Sequence, residues 1–259
     1  MRICLALLLL SATAMPATAA APDVSGITYQ QKPGNQMPLS AVFRDETDRT
    51  VHLRDVVAER PTILALGYFH CPSMCGVVRD DLLYALSRSG LRAGHGYVLV
   101  VVSIDPQEKP ADAAAAKRAD IGRYDLPGAA QAWHYLVGAP DQIQSVEDAV
   151  GFHARFDQQL KQFLHPTGLV FLTKTGVVSG YLLGVGYQPG DVSLAVTRAR
   201  GGGFAKAALP VLLLCFHFDP TTGRYTLAIA RLLELGCVLT VLTLGGTIAL
   251  ALRRDRRTP

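Results

Sequence analysis

The sequence predicts an α/β fold whose sheet is buried on both faces, and three observations carry that prediction. Residues 62–69 and 97–104 are unbroken apolar runs, the pattern of strands covered by packed layers on either side. Segments with helical spacing of apolar residues, 77–88, 110–124 and 140–150, alternate with the strand-like runs, which implies a mixed layer architecture rather than a sandwich or a bundle. Residues 168–173 and 177–185 flank Lys174-Thr175-Gly176 and read as a hairpin, with a last helix over 191–200.

Taken in order, the chain opens with Arg2, an apolar stretch from Ile3 to Leu10 and the small-residue run Ala17-Thr18-Ala19. That is a secretory signal over residues 1–20, cleaved after Ala19 or Ala21. The apolar run is too short to span a bilayer, which takes about 20 residues. Residues 21–38, rich in Pro, Gly and Gln, read as an exposed lead-in. Residues 41–43 and 50–53 flank a polar turn and predict an N-terminal hairpin added to the fold. A short helix beginning near Asp55 precedes Pro61. The strand over 62–69 passes directly into Cys71-Pro72-Ser73-Met74-Cys75 and the helix over 77–88, where Val78, Leu82, Leu83 and Leu86 share a face. The strand over 97–104 ends at Asp105-Pro106. Pro110 opens the next helix, as Pro favours a first helical position. A strand at 133–137, a helix at 140–150 and a minor strand at 152–156 lead to the hairpin. An early central strand, a cysteine-bearing turn into a helix, and a hairpin before the last helix together form the thioredoxin arrangement, over residues 39–200.

Gly201-Gly202-Gly203 reads as a flexible break, followed by a linker and membrane-proximal segment over 201–230. From Leu235 to Leu252 there is no charged residue, and a helix of that length reaches ~27 Å, close to the ~30 Å of a hydrocarbon core. A transmembrane helix is therefore expected over 231–252. Arg253, Arg254, Arg256 and Arg257 lie in the basic tail, 253–259, and place it in the cytoplasm with the large domain in the periplasm. Hydrophobic residues make up 49% of the 259-residue chain and the mean hydropathy is +0.24, in keeping with a membrane segment. The net charge of +4 is scattered or confined to the tail, so a nucleic-acid partner is not expected. Neither a dinucleotide fingerprint nor a phosphate-binding loop is present.

Of the five cysteines, Cys4 falls in the signal and Cys237 in the membrane span. Three remain for the exported part, too few for a disulfide scaffold. Cys71 and Cys75 lie where a strand hands over to a helix N-terminus, which favours thiolate over thiol. Two thiolates suit a soft cation such as Cu(I). They also form a redox pair, and the oxidised pair cannot ligate as thiolates. Among seven histidines, His165 is the best third-ligand candidate, because it lies on a loop entering a core strand, and in thioredoxin-like folds the loop before that strand faces the cysteine turn. Its spacing alone leaves a ligand and an ordinary loop histidine both open. Pro166-Thr167 matches the Pro-Thr element of thioredoxin-like folds. His70 is a candidate tuner of Cys71, whereas His134 and His153 read as structural or surface residues. Asp105 ends a strand near the active edge, as a positioning acid or as simple termination. Cys215-Phe216-His217 is either a second metal site or a membrane-proximal segment with a free thiol.

The Cys71–Cys75 motif, Val102-Ser103-Ile104-Asp105-Pro106 and His165 ahead of a strand together resemble the SCO/SenC family of copper chaperones, over residues 30–200 and on through Leu214 to Pro220. The C-terminal anchor matches a bacterial branch of that family. The resemblance implies a thioredoxin-like fold that holds copper, as Cu(I) or Cu(II), on Cys71, Cys75 and His165. It further implies delivery of copper to the copper-bearing subunit of cytochrome c oxidase, or maintenance of that subunit's thiols with a thiol reductant as partner. Gly76 stands where many members have Pro, and Ser73 where the residue is often acidic. The reading from another class is a membrane-tethered thiol–disulfide oxidoreductase, with Cys71 attacking and Cys75 resolving through a mixed disulfide. A thiol peroxidase fits less well, since no suitably spaced Thr or Ser precedes Cys71.

Overall fold

The structure is a computed structural model that describes residues 24–57, 59–71, 75–205, 236–245 and 247. Its strands are β1 (Thr28–Tyr29), β2 (Val42–Arg44), β3 (Thr50–His52), β4 (Thr62–Gly67), β5 (Val98–Ser103), β6 (Trp133–Gly138), β7 (Phe152–His153), β8 (Arg155–Asp157), β9 (Gln162–Leu164), β10 (Gly168–Leu172) and β11 (Val178–Leu183). The helices are α1 (Leu53–Val57), α2 (Cys75–Arg88), α3 (Pro110–Tyr124), α4 (Ala129–Ala132), α5 (Pro140–Val150) and α6 (Pro189–Arg200).

Seven strands form the main sheet in the order β11-β10-β4-β5-β6-β2-β3. The central β4, β5 and β6 run parallel, and the strands outside them pair antiparallel. The predicted N-terminal hairpin is β2–β3, and it extends the sheet beyond β6. Successive side chains of the central strands enter two different cores. Leu64 and Leu66 of β4, Val98, Val100 and Val102 of β5 and Val170 of β10 pack on one face with α1, α5 and Phe152. Ile63, Ala65, Leu99, Val101, Leu169 and Phe171 pack on the other with α2 and α6. Because both sets are buried, the strands carry no polar alternation, and this is why they read as unbroken apolar runs. Proline opens α3, α5 and α6, where the missing N–H costs no helical hydrogen bond.

Three expectations are corrected. The segment through residue 38 is not an exposed lead-in: Ile27, Tyr29 and Met37 are buried in the domain, and β1 pairs with β7. Backbone bonds fasten it, from Gln30 N–H to the Gly151 carbonyl at 2.7 Å and from Met37 N–H to the Gly176 carbonyl at 2.9 Å. Its apolar residues are isolated from one another in sequence, so no periodicity announced them. The glycines at 201–203 do not release the chain at once. Ser179 Oγ donates to the Gly203 carbonyl, and Ala205 N–H donates to Ser179 O at 2.7 Å. The minor strand expected at 152–156 is two strands, β7 and β8, and β8 pairs with β9 in a small separate hairpin.

The signal over 1–20, Cys215-Phe216-His217 and the tail 253–259 lie outside the described residues. Residues 236–245 are helical. Among the described residues no helix is long and apolar enough to cross a membrane, and much of the span expected over 231–252 lies outside them.

Candidate metal and redox site

The pairing of β4 with β10 sets where the candidate residues meet. Leu172 lies opposite Thr62 and Leu169 opposite Ala65. In this antiparallel register, the residues that follow Gly67 and those that precede Gly168 leave the sheet at the same end. Cys71 comes from the first group and His165 from the second. Tyr68, buried three residues before Cys71, lies edge-on to the His165 ring with centroids 5.9 Å apart. Cys71 itself packs, part-buried, against the core on the α5 face.

His165 is 3% exposed. Its Nδ1 lies 3.0 Å from the Pro166 carbonyl oxygen, and a carbonyl only accepts, so Nδ1 carries the proton and Nε2 the lone pair. Burial holds its pKa below that of an ordinary histidine, ahead of the opposing effect of the Pro166 bond, because desolvation disfavours the imidazolium. A neutral imidazole with its lone pair on Nε2 is the protonation state that a metal requires. The Pro166 element differs from the cis-Pro of thioredoxin-like folds, since all described peptide bonds are trans.

Helix α2 begins at Cys75, two residues earlier than the sequence spacing predicts, and this sets Cys75 in the first turn, where unpaired N–H groups favour negative charge. Residues 72–74, Ser73 among them, and the Cys75 side chain lie outside the described residues. Among the described residues, no group of three His, Cys, Asp or Glu side chains is arranged to hold a metal. The donor types that leave this end of the sheet, a cysteine sulfur and a neutral imidazole, are those that a soft metal takes. Gly76 is exposed, and a side chain there would meet open space.

One buried residue next to the site that the sequence did not single out is Glu108. Its carboxylate is almost fully buried, with 2% of the side chain exposed. Oε2 accepts the Phe69 N–H at 2.8 Å and Oε1 the His70 N–H at 2.6 Å. The Ser103 hydroxyl donates to Oε2 at 2.6 Å and accepts the Asp105 N–H at 3.1 Å. A carboxylate on the loop after β5 thus grips the two residues ahead of Cys71. Nothing in the sequence marks it, because a single Glu between Asp105-Pro106 and Pro110 has no periodicity and no motif partner. Asp105, the acid singled out there, instead accepts the Gln107 N–H at 2.9 Å and closes its own turn. The side chain of His70 is 69% exposed and faces Glu108 and Asp112, at 3.3 and 3.5 Å. His134, half-buried, is held below the usual histidine pKa mainly by burial. Among the described residues, the buried Nε2 of His153 has no hydrogen-bond partner.

No protein-family model matches the sequence, and no curated protein aligns with it significantly. Solved structures do match, and they define the fold as thioredoxin-like α/β. A putative electron transfer protein from Aquifex aeolicus VF5 superposes with a TM-score of 0.57 at 22% identity, covering 66% of this chain and 95% of that one. Arabidopsis thaliana ScoI with copper bound gives 0.52 at 15% identity, over 66% and 99%. BsSco, a Sco-family cytochrome c oxidase assembly protein with an identified disulfide switch, gives 0.50 at 17%, over 66% and 98%. The fold is therefore the one found in Sco proteins, the same family that the Cys71–Cys75 and His165 motifs resemble.

Proposed function

We propose that this chain is an SCO/SenC copper metallochaperone that takes Cu(I) as cargo on Cys71, Cys75 and His165. It passes the ion to the copper-bearing subunit of cytochrome c oxidase, or keeps that subunit's thiols reduced. The observation that carries this reading is the β4–β10 register, which sends Cys71 and His165 off the same end of the sheet. The buried, Nδ1-protonated His165 supports it. Three ligands leave an approach path for an acceptor's own ligands, so the ion moves by exchange rather than release. Cys75 is the disulfide partner of Cys71 in this reading. An external dithiol reduces the bond by attack on one sulfur, forming a mixed disulfide. Its second thiolate then resolves that bond, leaving the reductant oxidised and both cysteines of the chain as thiols. The signal at 1–20 and the apolar span at 231–252 with its basic tail support export to the periplasm and anchoring at the C-terminus.

The test is an anaerobic Cu(I) titration of the reduced full-length chain against a competing chelator. The wild type is expected to bind one ion. His165→Ala should lower the affinity more than ~100-fold, beyond the loss of an outer-shell partner. Undiminished affinity in that variant removes His165 from the ligand set. A wild-type chain that binds no Cu(I) sinks the copper reading. The Cys71–Cys75 pair then points to the second reading, a thiol–disulfide oxidoreductase in which Cys71 attacks and Cys75 resolves.

A further inference from the structure

Glu108 spends a buried carboxylate on the backbone immediately ahead of Cys71. We infer that it is a positioning residue, fixing the direction in which the chain leaves β4 so that Cys71 is already aimed at its partners. This rests on the functional reading above only in naming copper as one of those partners. Phe69 and His70 lie beyond the end of β4, where sheet pairing no longer holds their N–H groups. The last ladder-like bond at that edge is Ile104 N–H to the Gly67 carbonyl, at 2.8 Å. From Phe69 on, the two amides are held by Glu108, at 2.8 and 2.6 Å. Glu108 is itself held by Ser103, on the strand that lies beside Gly67. The direction of Cys71 is therefore tied to the central strand β5 through side-chain chemistry.

Closing any ring through Cys71, whether a disulfide or a metal chelate, requires its backbone to be ordered. Ordering a residue costs conformational entropy. An exit segment already ordered by two charge-assisted hydrogen bonds leaves less to lose at closure, which is preorganisation in the sense used for binding loops. Gln at position 108 keeps the size but offers one acceptor oxygen in place of two, and turns an N–H₂ toward a backbone N–H.

The experiment compares Glu108→Gln with a matched control in the full-length chain. The control is Asp45→Asn, at the turn of the β2–β3 hairpin on the far side of the sheet. Asp45 is likewise buried and likewise accepts two backbone amides and a hydroxyl. Two readouts are taken: the dithiol–disulfide equilibrium of Cys71 against a glutathione buffer, and Cu(I) affinity. Glu108→Gln is expected to shift the equilibrium about tenfold toward the dithiol, ~30 mV for a two-electron couple, and to weaken Cu(I) about tenfold. Asp45→Asn should leave both within twofold. An equilibrium unmoved in Glu108→Gln overturns the inference whatever copper does, and so does an equal shift in Asp45→Asn. If no variant binds Cu(I) and the equilibrium still moves, the copper reading fails and the positioning role stands. Should Glu108→Gln fail to fold, Ser103→Ala removes only the hydroxyl that holds the carboxylate. It is expected to shift the equilibrium about threefold in the same direction, and no shift overturns the inference.

Discussion

Burial acts on two ionisable side chains of this domain in opposite senses. It keeps His165 neutral, and it pushes Glu147 up to about 7, with Asp148 adding to the shift. Glu147 lies on α5, whose buried face includes Ile143, Val146 and Val150. Its folded pKa stands above the ~4.3 of a free glutamate. The folded state therefore favours the protonated form, and that stabilisation is complete below the unfolded value and lost as pH rises through about 7. Glu147→Gln is neutral at every pH and removes the loss. It should raise the melting temperature at pH 8 by roughly 3 °C, about 1 kcal/mol in a domain of this size, with a much smaller effect at pH 5. Thermal melts at the two pH values check this, and an equal gain at both excludes the ionisation as the cause. For His165 the order is reversed, since its folded pKa lies below the unfolded ~6.5. The stability it contributes is present above that value and lost as pH falls through the lower, folded one.

Among the elements, α5 shows how one helix end locks two distant parts of the chain. It stops at Gly151, which adopts φ 65°, the left-handed conformation that glycine supplies at a helix end. A Cβ at that position would lie 1.9 Å from the Gln30 carbonyl oxygen, and the Gly151 carbonyl accepts the Gln30 N–H. Gly151→Ala thus adds both a backbone clash and a strained dihedral. It should destabilise the domain by about 3 kcal/mol or more, lowering the melting temperature by ~6–12 °C. Hydrogen exchange at the Tyr29 and Phe152 amides should rise with it, because β1–β7 pairing depends on the same contact. Unchanged melting would mean that the chain at Gln30 moves aside freely. Helix α2 presents the opposite case. Its Gly76, a departure from the motif the sequence resembles, has open space around it, so the departure relieves no crowding.

At the scale of the molecule, residues 24–38 complete a core instead of leading into one. Ile27, Tyr29 and Met37 are almost wholly covered, and burying three such side chains contributes on the order of 5 kcal/mol as an upper estimate. A chain lacking residues 1–38 should unfold at a clearly lower urea concentration than one lacking residues 1–23, and a matching midpoint would show that the segment is dispensable. The strands of the main sheet, the helices α1, α2, α3, α5 and α6 and the Cys71–Cys75 and His165 motifs were readable from the sequence, because each rests on local periodicity or on a motif within a few residues. Leu82 and Leu86 on one face, or five apolar residues in a row at β5, need no distant partner to be recognised. The lead-in and Glu108 were not readable. What defines them is a neighbour far along the chain: Gly151 and Gly176 for the lead-in, and the amides of Phe69 and His70 for Glu108. The sequence by itself determined the layers, the order of elements and the chemical types available at the cysteine turn, since these follow from hydrophobic burial and side-chain chemistry acting locally. Only the tertiary structure decided that Cys71 and His165 leave the same end of the sheet and that a buried carboxylate holds the approach to Cys71. Strand register and the satisfaction of buried amides are properties of paired segments, and no single stretch of sequence contains both partners.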